Sequence, residues 1–243
     1  MDCRLYQKSL IVTLLMICSS VTFSQTNNQQ WRDSLNSLNR QIELSPYNTD
    51  LHLRKAAVNL ELQQWEYAVD EYTLILRYES KNLSALYYRA YAYMHLRRYD
   101  LAKNDYETVL ANVPTNKEAR LGLAYMFQSS GRRKEALEQL NIVVEQHPED
   151  PEAYVARASY EAELKLYEIA LYDWEEAIKR KPANIDYALS YIDLLIISGK
   201  NNRAKTELDK LSGRGVATSL LHPFYNRLKK AKNKHFQKFF LLI

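Results

Sequence analysis

Residues 83–116, LSALYYRAYAYMHLRRYDLAKNDYETVLANVPTN, and residues 117–150, KEARLGLAYMFQSSGRRKEALEQLNIVVEQHPED, align without a gap at a spacing of 34. Ala90 stands over Ala124, Ala102 over Ala136, Tyr106 over Leu140 and Pro114 over Pro148. The register extends in both directions. Alanine recurs at Ala68, Ala102, Ala136, Ala170 and Ala204, and a second small-residue column runs Ala56, Ala90, Ala124, Ala158 and ends in Ile192. A bulky column holds Tyr72, Tyr106, Leu140, Trp174 and Leu208. Pro46, Pro114, Pro148 and Pro182 form a fourth, with Ser80 in the missing slot. A fixed period of this length marks a repeat array in which each copy is one supersecondary unit.

Each period contains two apolar runs at helical spacing, in the second copy Leu86, Ala90, Tyr93 and Leu96, then Tyr99, Ala102, Tyr106, Val109 and Leu110. The break between runs falls where the third and fifth copies place Gly131 and Gly199, as a helix C-terminus prefers. Proline closes the second run, because it lacks an N–H donor and pushes its predecessor out of the helical region. The spacing therefore predicts a helical hairpin per copy, with alanine where helices approach too closely for a larger side chain. Trp31 is in register with Trp65, Tyr99 and Tyr167, which predicts a half-repeat helix over about Trp31 to Leu44. After the last copy, Pro223 suits a first helical turn. The stripe Phe224, Leu228, Ala231, His235, Phe239 and Leu242 then predicts a terminal helix packed on the fifth repeat.

Composition agrees with an ordinary globular, helical protein. Of 243 residues 47% are apolar and 26% charged, and five glycines and six prolines are too few for a turn-dense β sandwich or a glycine-looped nucleotide fold. Residues 1–24 read as a secretory signal, with Arg4 and Lys8 before the apolar stretch from Leu10 to Cys18 and cleavage expected after Ser24. Export to the periplasm or beyond is the consequence. The two cysteines, Cys3 and Cys18, both fall in that segment, so the mature chain has neither disulfides nor thiol chemistry. Removing the net +1 of residues 1–24 and the +7 of the tail from Ser212 takes the formal +4 of the whole chain to −4 for residues 25–211.

Nothing in the sequence assembles a catalytic constellation. His52, His95, His147, His222 and His235 are scattered without ligand spacing, and no glycine-rich phosphate loop is present. Enzyme activity, cofactors and metals are not expected, and nucleic acid is an improbable partner for an exported chain with an acidic body.

The residue columns resemble the tetratricopeptide repeat family, whose period is also 34 residues. That resemblance implies an all-α, right-handed superhelical solenoid of about five helix-turn-helix repeats with N- and C-terminal capping helices. The corresponding division is a signal at 1–24, a linker and capping half-repeat at 25–48, repeats at 49–82, 83–116, 117–150, 151–184 and 185–218, and a basic capping helix at 219–243. The sequence departs from the family pattern at Asn59 and Glu161, where a large apolar residue is usual, and at Ile192 and Arg133.

In this family the non-core positions of the first helices line a concave groove. Carried over in frame, they are Asp50, Leu53, Ala57 and Leu60; Tyr87, Tyr91, Met94 and His95; Glu118, Leu121, Tyr125 and Gln128. The fourth and fifth repeats add Glu152, Val155, Ser159, Glu163, Asp186, Leu189 and Asp193. The resemblance thus implies a non-catalytic scaffold of the bacterial envelope that binds a protein or peptide segment. Carboxylates flanking an aromatic strip favour neutral, aromatic or basic ligands. Tyr72, Tyr106, Trp174, Trp65, Tyr99 and Tyr167 fall at core positions. The Lys-rich tail with Phe236, Phe239 and Phe240 admits a capping role or contact with an anionic membrane surface, the latter giving a membrane-surface adaptor.

Overall fold

The computed structural model describes residues 28–240, with side chains to residue 231. The expected signal segment and its cleavage site lie outside the described residues, as do the side chains of His235, Phe239 and Leu242. All regular structure among the described residues is helical. The chain divides into two compact units, one ending at Met126 and one beginning at Phe127.

The first unit comprises α1 (28–44), α2 (Thr49–Glu61), α3 (Trp65–Tyr78), α4 (Leu83–His95), α5 (Tyr99–Asn112) and the part of α6 (Lys117–Ser129) up to Met126. The second holds the end of α6, then α7 (Arg133–Gln146), α8 (Pro151–Glu163), α9 (Tyr167–Arg180), α10 (Ile185–Ile197), α11 (Asn201–Gly213) and α12 (Thr218–Phe240). First helices begin at 49, 83, 117, 151 and 185 and second helices at 65, 99, 133, 167 and 201, so the period survives to the residue. Consecutive packed helix pairs of this kind make a tetratricopeptide-repeat-like solenoid.

A column that the apolar pattern does not reveal starts every first helix. Asn48, Asn82, Asn116 and Asn184 each accept the backbone N–H three residues on, at 2.7–3.2 Å, and Asp150 accepts that of Glu152 at 2.9 Å. These caps satisfy donors that the first turn leaves without partners. The other end is closed just as regularly. Backbone N–H groups of Gln64, Arg98, Arg132, Leu166 and Lys200 reach back five residues to Asn59, Tyr93, Phe127, Glu161 and Leu195 at 2.7–2.9 Å. The residue before each adopts a positive φ, completing a Schellman turn. Gly131 and Gly199 fill that position without cost, whereas Gln63, Arg97 and Lys165 occupy it with a Cβ, at roughly 1 kcal/mol each. Lys165→Gly is accordingly expected to raise stability by no more than about 0.5 kcal/mol, after subtracting the greater chain entropy of glycine when unfolded. Chemical denaturation read by circular dichroism would check it.

The repeated small and bulky columns are core. Ala68, Ala102, Ala136, Ala170 and Ala204 are all 0% exposed, and Tyr72, Tyr106, Leu140, Trp174 and Leu208 are buried. Ile192, one of the departures from the family pattern, is fully buried as well. In the first unit Trp31, Leu35, Leu38 and Ile42 of α1 pack with Leu51 and Val58 of α2. In the second, Leu221 of α12 joins the core of α9, α10 and α11, with Phe224 and Leu228 against it. Pro223 is not in the first turn, as its sequence position suggested, but sits inside α12, which starts at Thr218. The described half of the tail stripe therefore covers the fifth hairpin.

A polar clamp crosses the hairpins at the same period. Arg89 of α4 donates two bonds to Asp105 of α5, both 2.8 Å, and one to Thr73 of α3 at 3.1 Å. One repeat pair later, Arg157 of α8 donates to both oxygens of Asp173 in α9 at 2.6 and 2.8 Å, and to Asn141 of α7 at 3.0 Å. Tyr191 reaches Glu175 at 2.6 Å, and Tyr225 of α12 reaches Asp209 at 2.8 Å, both spanning 16 residues like the others. The column continues into α12, so that helix is built as the first helix of a further repeat.

The two polar departures from the family pattern are buried and incompletely paired. Asn59 is 2% exposed with its amide nitrogen unbonded, and Glu161 is 5% exposed with one carboxylate oxygen unbonded. Burial, reinforced by the charge of Asp173 and only partly opposed by Arg157, pushes the Glu161 carboxyl up to about 7. Below the ordinary value of 4.5 both folded and unfolded chains are protonated there. Between 4.5 and about 7 only the folded chain holds the proton, so this residue's contribution to stability falls as pH rises through that window and stays low above it. Glu161→Gln is expected to match the parent at pH 4 and to exceed it by about 1–2 kcal/mol at pH 8. Paired urea melts across that range provide the check.

Candidate functional site

The Asn82 cap fixes where α4 starts, and helical spacing then places Tyr87, Tyr91 and His95 on one face, four residues apart. Opposite them lie Leu60 and Glu61 from the last turn of α2, Gln63 in its left-handed turn and Trp65 at the start of α3. With Tyr88 these residues enclose an open pocket of about 600 Å³ within the first unit.

The pocket walls are aromatic rings locked to one another. Trp65 and His95 stack with centroids 3.8 Å apart and planes 3° from parallel. Tyr91 stands nearly perpendicular to both, 6.1 Å from Trp65 and 4.7 Å from His95. Tyr87 contacts Tyr88 at 5.1 Å and buried Tyr106 at 5.7 Å, which ties the site to the core. Such edge-to-face pairs fix ring orientation beyond what area burial alone would do. Burial lowers the tendency of His95 to protonate, so its ring is neutral at pH 7. Burial, with the charges of Tyr88, Glu118 and Tyr91, raises that of the Tyr87 phenol, which stays protonated. Glu61 is exposed and has no hydrogen-bond or ion-pair partner among the described residues.

On α6, Glu118, Leu121 and Tyr125 belong to the same unit. Gly122 lets this segment lie against Tyr106: a Cβ there would come within 2.5 Å of the ring. Tyr125 is 60% exposed and Tyr91 39%, while Leu53, Tyr87 and Leu121 are half-buried. Met94 is corrected: it shares the helical face of 87 and 91, but on the flank toward buried Ala90, and at 7% exposure its side chain is packed inside rather than offered to a ligand. In the second unit Gln128 donates to Glu163 at 3.2 Å, Val155 packs onto the core, and Glu152 is exposed. Of the candidate groove residues, Leu60, Tyr87, Tyr91 and His95 share the aromatic pocket. Glu61, Gln63 and Tyr88 were absent from the sequence-derived set, and Trp65, placed there in the core, is a half-buried pocket wall. Glu61 and His95 stand one period apart on the last turns of successive first helices, a signal the sequence does contain.

A second pocket, of about 430 Å³, occupies equivalent positions in the second unit, with Ser159, Leu189, Asp193, Ile197 and Phe224 among its walls. There the carboxylate of Asp193 is paired with Arg227 of α12. Among the described residues no group of three or more His, Cys, Asp or Glu could hold a metal ion, and no helix is long and apolar enough to cross a membrane.

Residues 93–160 match the family described as tetratricopeptide repeat. No curated protein matches the chain. Among solved structures, a tetratricopeptide repeat protein from Parabacteroides merdae is similar with a TM-score of 0.63 at 21% identity, covering 88% of this chain and 85% of that one. MamA from Desulfovibrio magneticus gives 0.56 at 20% identity over 70% of this chain and 97% of its own. YrrB, described as a tetratricopeptide repeat protein with an unusual peptide-binding site, gives 0.51 at 20% identity over 76% and 96%. At these identities the likeness concerns the fold, and together with the repeat match it establishes that this chain folds as tetratricopeptide-type helical hairpins.

Proposed function

We propose that the protein is a non-catalytic scaffold, exported to the bacterial envelope, that binds a peptide or protein segment on the groove-side face of its first helices. The fold is one that generally mediates protein–protein contact. The observation that carries the reading is the exposed aromatic surface of the first unit, where Tyr91 offers a rigid, amphipathic ring in the wall of an open pocket and Tyr125 of α6 a second exposed ring. Aromatic anchors of this kind commonly dominate the energetics of recognition. Unpaired Glu61 and exposed Glu118 make an acidic ligand unfavourable and a neutral, aromatic or basic one favourable. A capping role for α12 is supported by Leu221, Phe224 and Leu228 facing the core of the second unit.

The test is capture from envelope extracts, comparing the parent with Tyr91→Ala combined with Tyr125→Ala. Tyr87 is left intact because its contact with Tyr106 would confuse binding with folding. Loss of about 2–4 kcal/mol of binding with unchanged helicity is expected. Undiminished capture would refute the groove assignment. Export is checked separately, by sequencing the N-terminus of protein recovered from the envelope, which should begin at Gln25.

A further inference from the structure

We propose that the pocket of Trp65, Tyr87, Tyr91, His95 and Glu61 is a subsite for a cationic side chain, the Lys or Arg of the bound segment. This rests on the groove reading and adds the chemistry of one contact. Three observations carry it.

The first is the wall chemistry. Stacked Trp65 and His95 with Tyr91 set nearly perpendicular present aromatic surface in two orientations around one open volume. Aromatic faces attract a cation through their quadrupole, most strongly tryptophan. The second is the charge balance. Glu61 contributes a carboxylate with no partner of its own, whereas its neighbours Asp50 and Glu66 are paired with Arg54 and Arg98. The imidazole of His95 is neutral and so does not cancel that charge.

The third is the equivalent pocket in the second unit. Asp193 stands in the repeat position of Tyr91, three periods on, and it is already paired with Arg227 of this same chain. The guanidinium of Arg227 also lies over the Phe224 ring, 6.0 Å from its centroid. At one such pocket the molecule thus pairs a wall carboxylate with its own cation, held over an aromatic wall. It leaves the other, richer in aromatic surface, without a cation.

The pocket contains a reporter, since the Trp65 indole N–H gives a resolvable resonance among three tryptophans. The purified chain would be titrated with the amides of Nα-acetyl-lysine, Nα-acetyl-arginine, Nα-acetyl-norleucine and Nα-acetyl-glutamate at millimolar concentration. The lysine and arginine probes are expected to shift Trp65 saturably, at least about fivefold more tightly than norleucine, with Trp174 unmoved. Glu61→Gln should weaken the cationic probes about three- to tenfold and leave norleucine unchanged; as a surface substitution it keeps the fold. Equal binding of norleucine, no saturable shift with either cation, or indifference to Glu61→Gln would overturn the proposal. Failure here alongside capture that still depends on Tyr91 and Tyr125 would reject the cationic subsite alone. Lysine selectivity alongside capture indifferent to those tyrosines would reject the groove reading instead.

Discussion

Arg157→Ala is expected to destabilise the second unit by about 3–5 kcal/mol, the usual cost of removing one partner from a buried ion pair. Asp173 is 0% exposed and receives two guanidinium bonds, so the truncation leaves a carboxylate that water cannot reach. Glu161 feels the loss too, because its carboxyl lies 4.0 Å from the same guanidinium, whose charge opposes the burial and the Asp173 charge that push it up to about 7. Arg157→Lys should recover only part, since an ammonium cannot offer the paired donors of the planar fork. Arg157→Met with Asp173→Leu should recover most of it, as apolar replacements of buried ion pairs commonly do. Denaturation midpoints of the four proteins decide the matter. A single alanine variant that melts like the parent would show that the pair contributes nothing.

Ala102→Trp is expected to cost more than about 3 kcal/mol, at the upper end of what overpacking does. Ala102 is fully enclosed in α5, in the column where every copy keeps alanine. An indole is far larger than the enclosed methyl it would replace, so the hairpin is expected to open or the ring to leave the core, and both expose apolar surface. Ala102→Ser, nearly isosteric, should cost far less and serves as the control. An unchanged melting curve for the tryptophan variant would mean that the column is not a packing contact.

Much of the fold could be read from the chain because its period repeats every local decision five times. Ala102 alone says little, but Ala68, Ala102, Ala136, Ala170 and Ala204 together specify a close helix contact, and all five are enclosed. The helix starts were legible too, in Asn48, Asn82, Asn116, Asp150 and Asn184, although an apolar-pattern reading passes over them because caps are polar and local. First-helix stops were legible only where glycine marked them, at Gly131 and Gly199, whereas proline marked most second-helix stops. Gln63, Arg97 and Lys165 take the same positive φ, because the Schellman bonds and the packing of the next helix impose it against side-chain preference.

The candidate site was legible as a face and not as a pocket. Spacing alone set Tyr87 and Tyr91 on one side of α4, since they are four residues apart on a helix. It placed Met94 there as well, and packing buried it. That Trp65 turns toward His95, and that Glu61 is left without a cation while Asp193 gains Arg227, depends on which helices meet across the hairpins. The sequence by itself determined the period, the hairpin and the identity of the core columns, because these follow from short-range spacing repeated many times. Tertiary structure decided the partners of the polar side chains and the enclosure of the aromatic pocket, because both depend on contacts between residues from 16 to 34 positions apart, whose geometry no local pattern encodes.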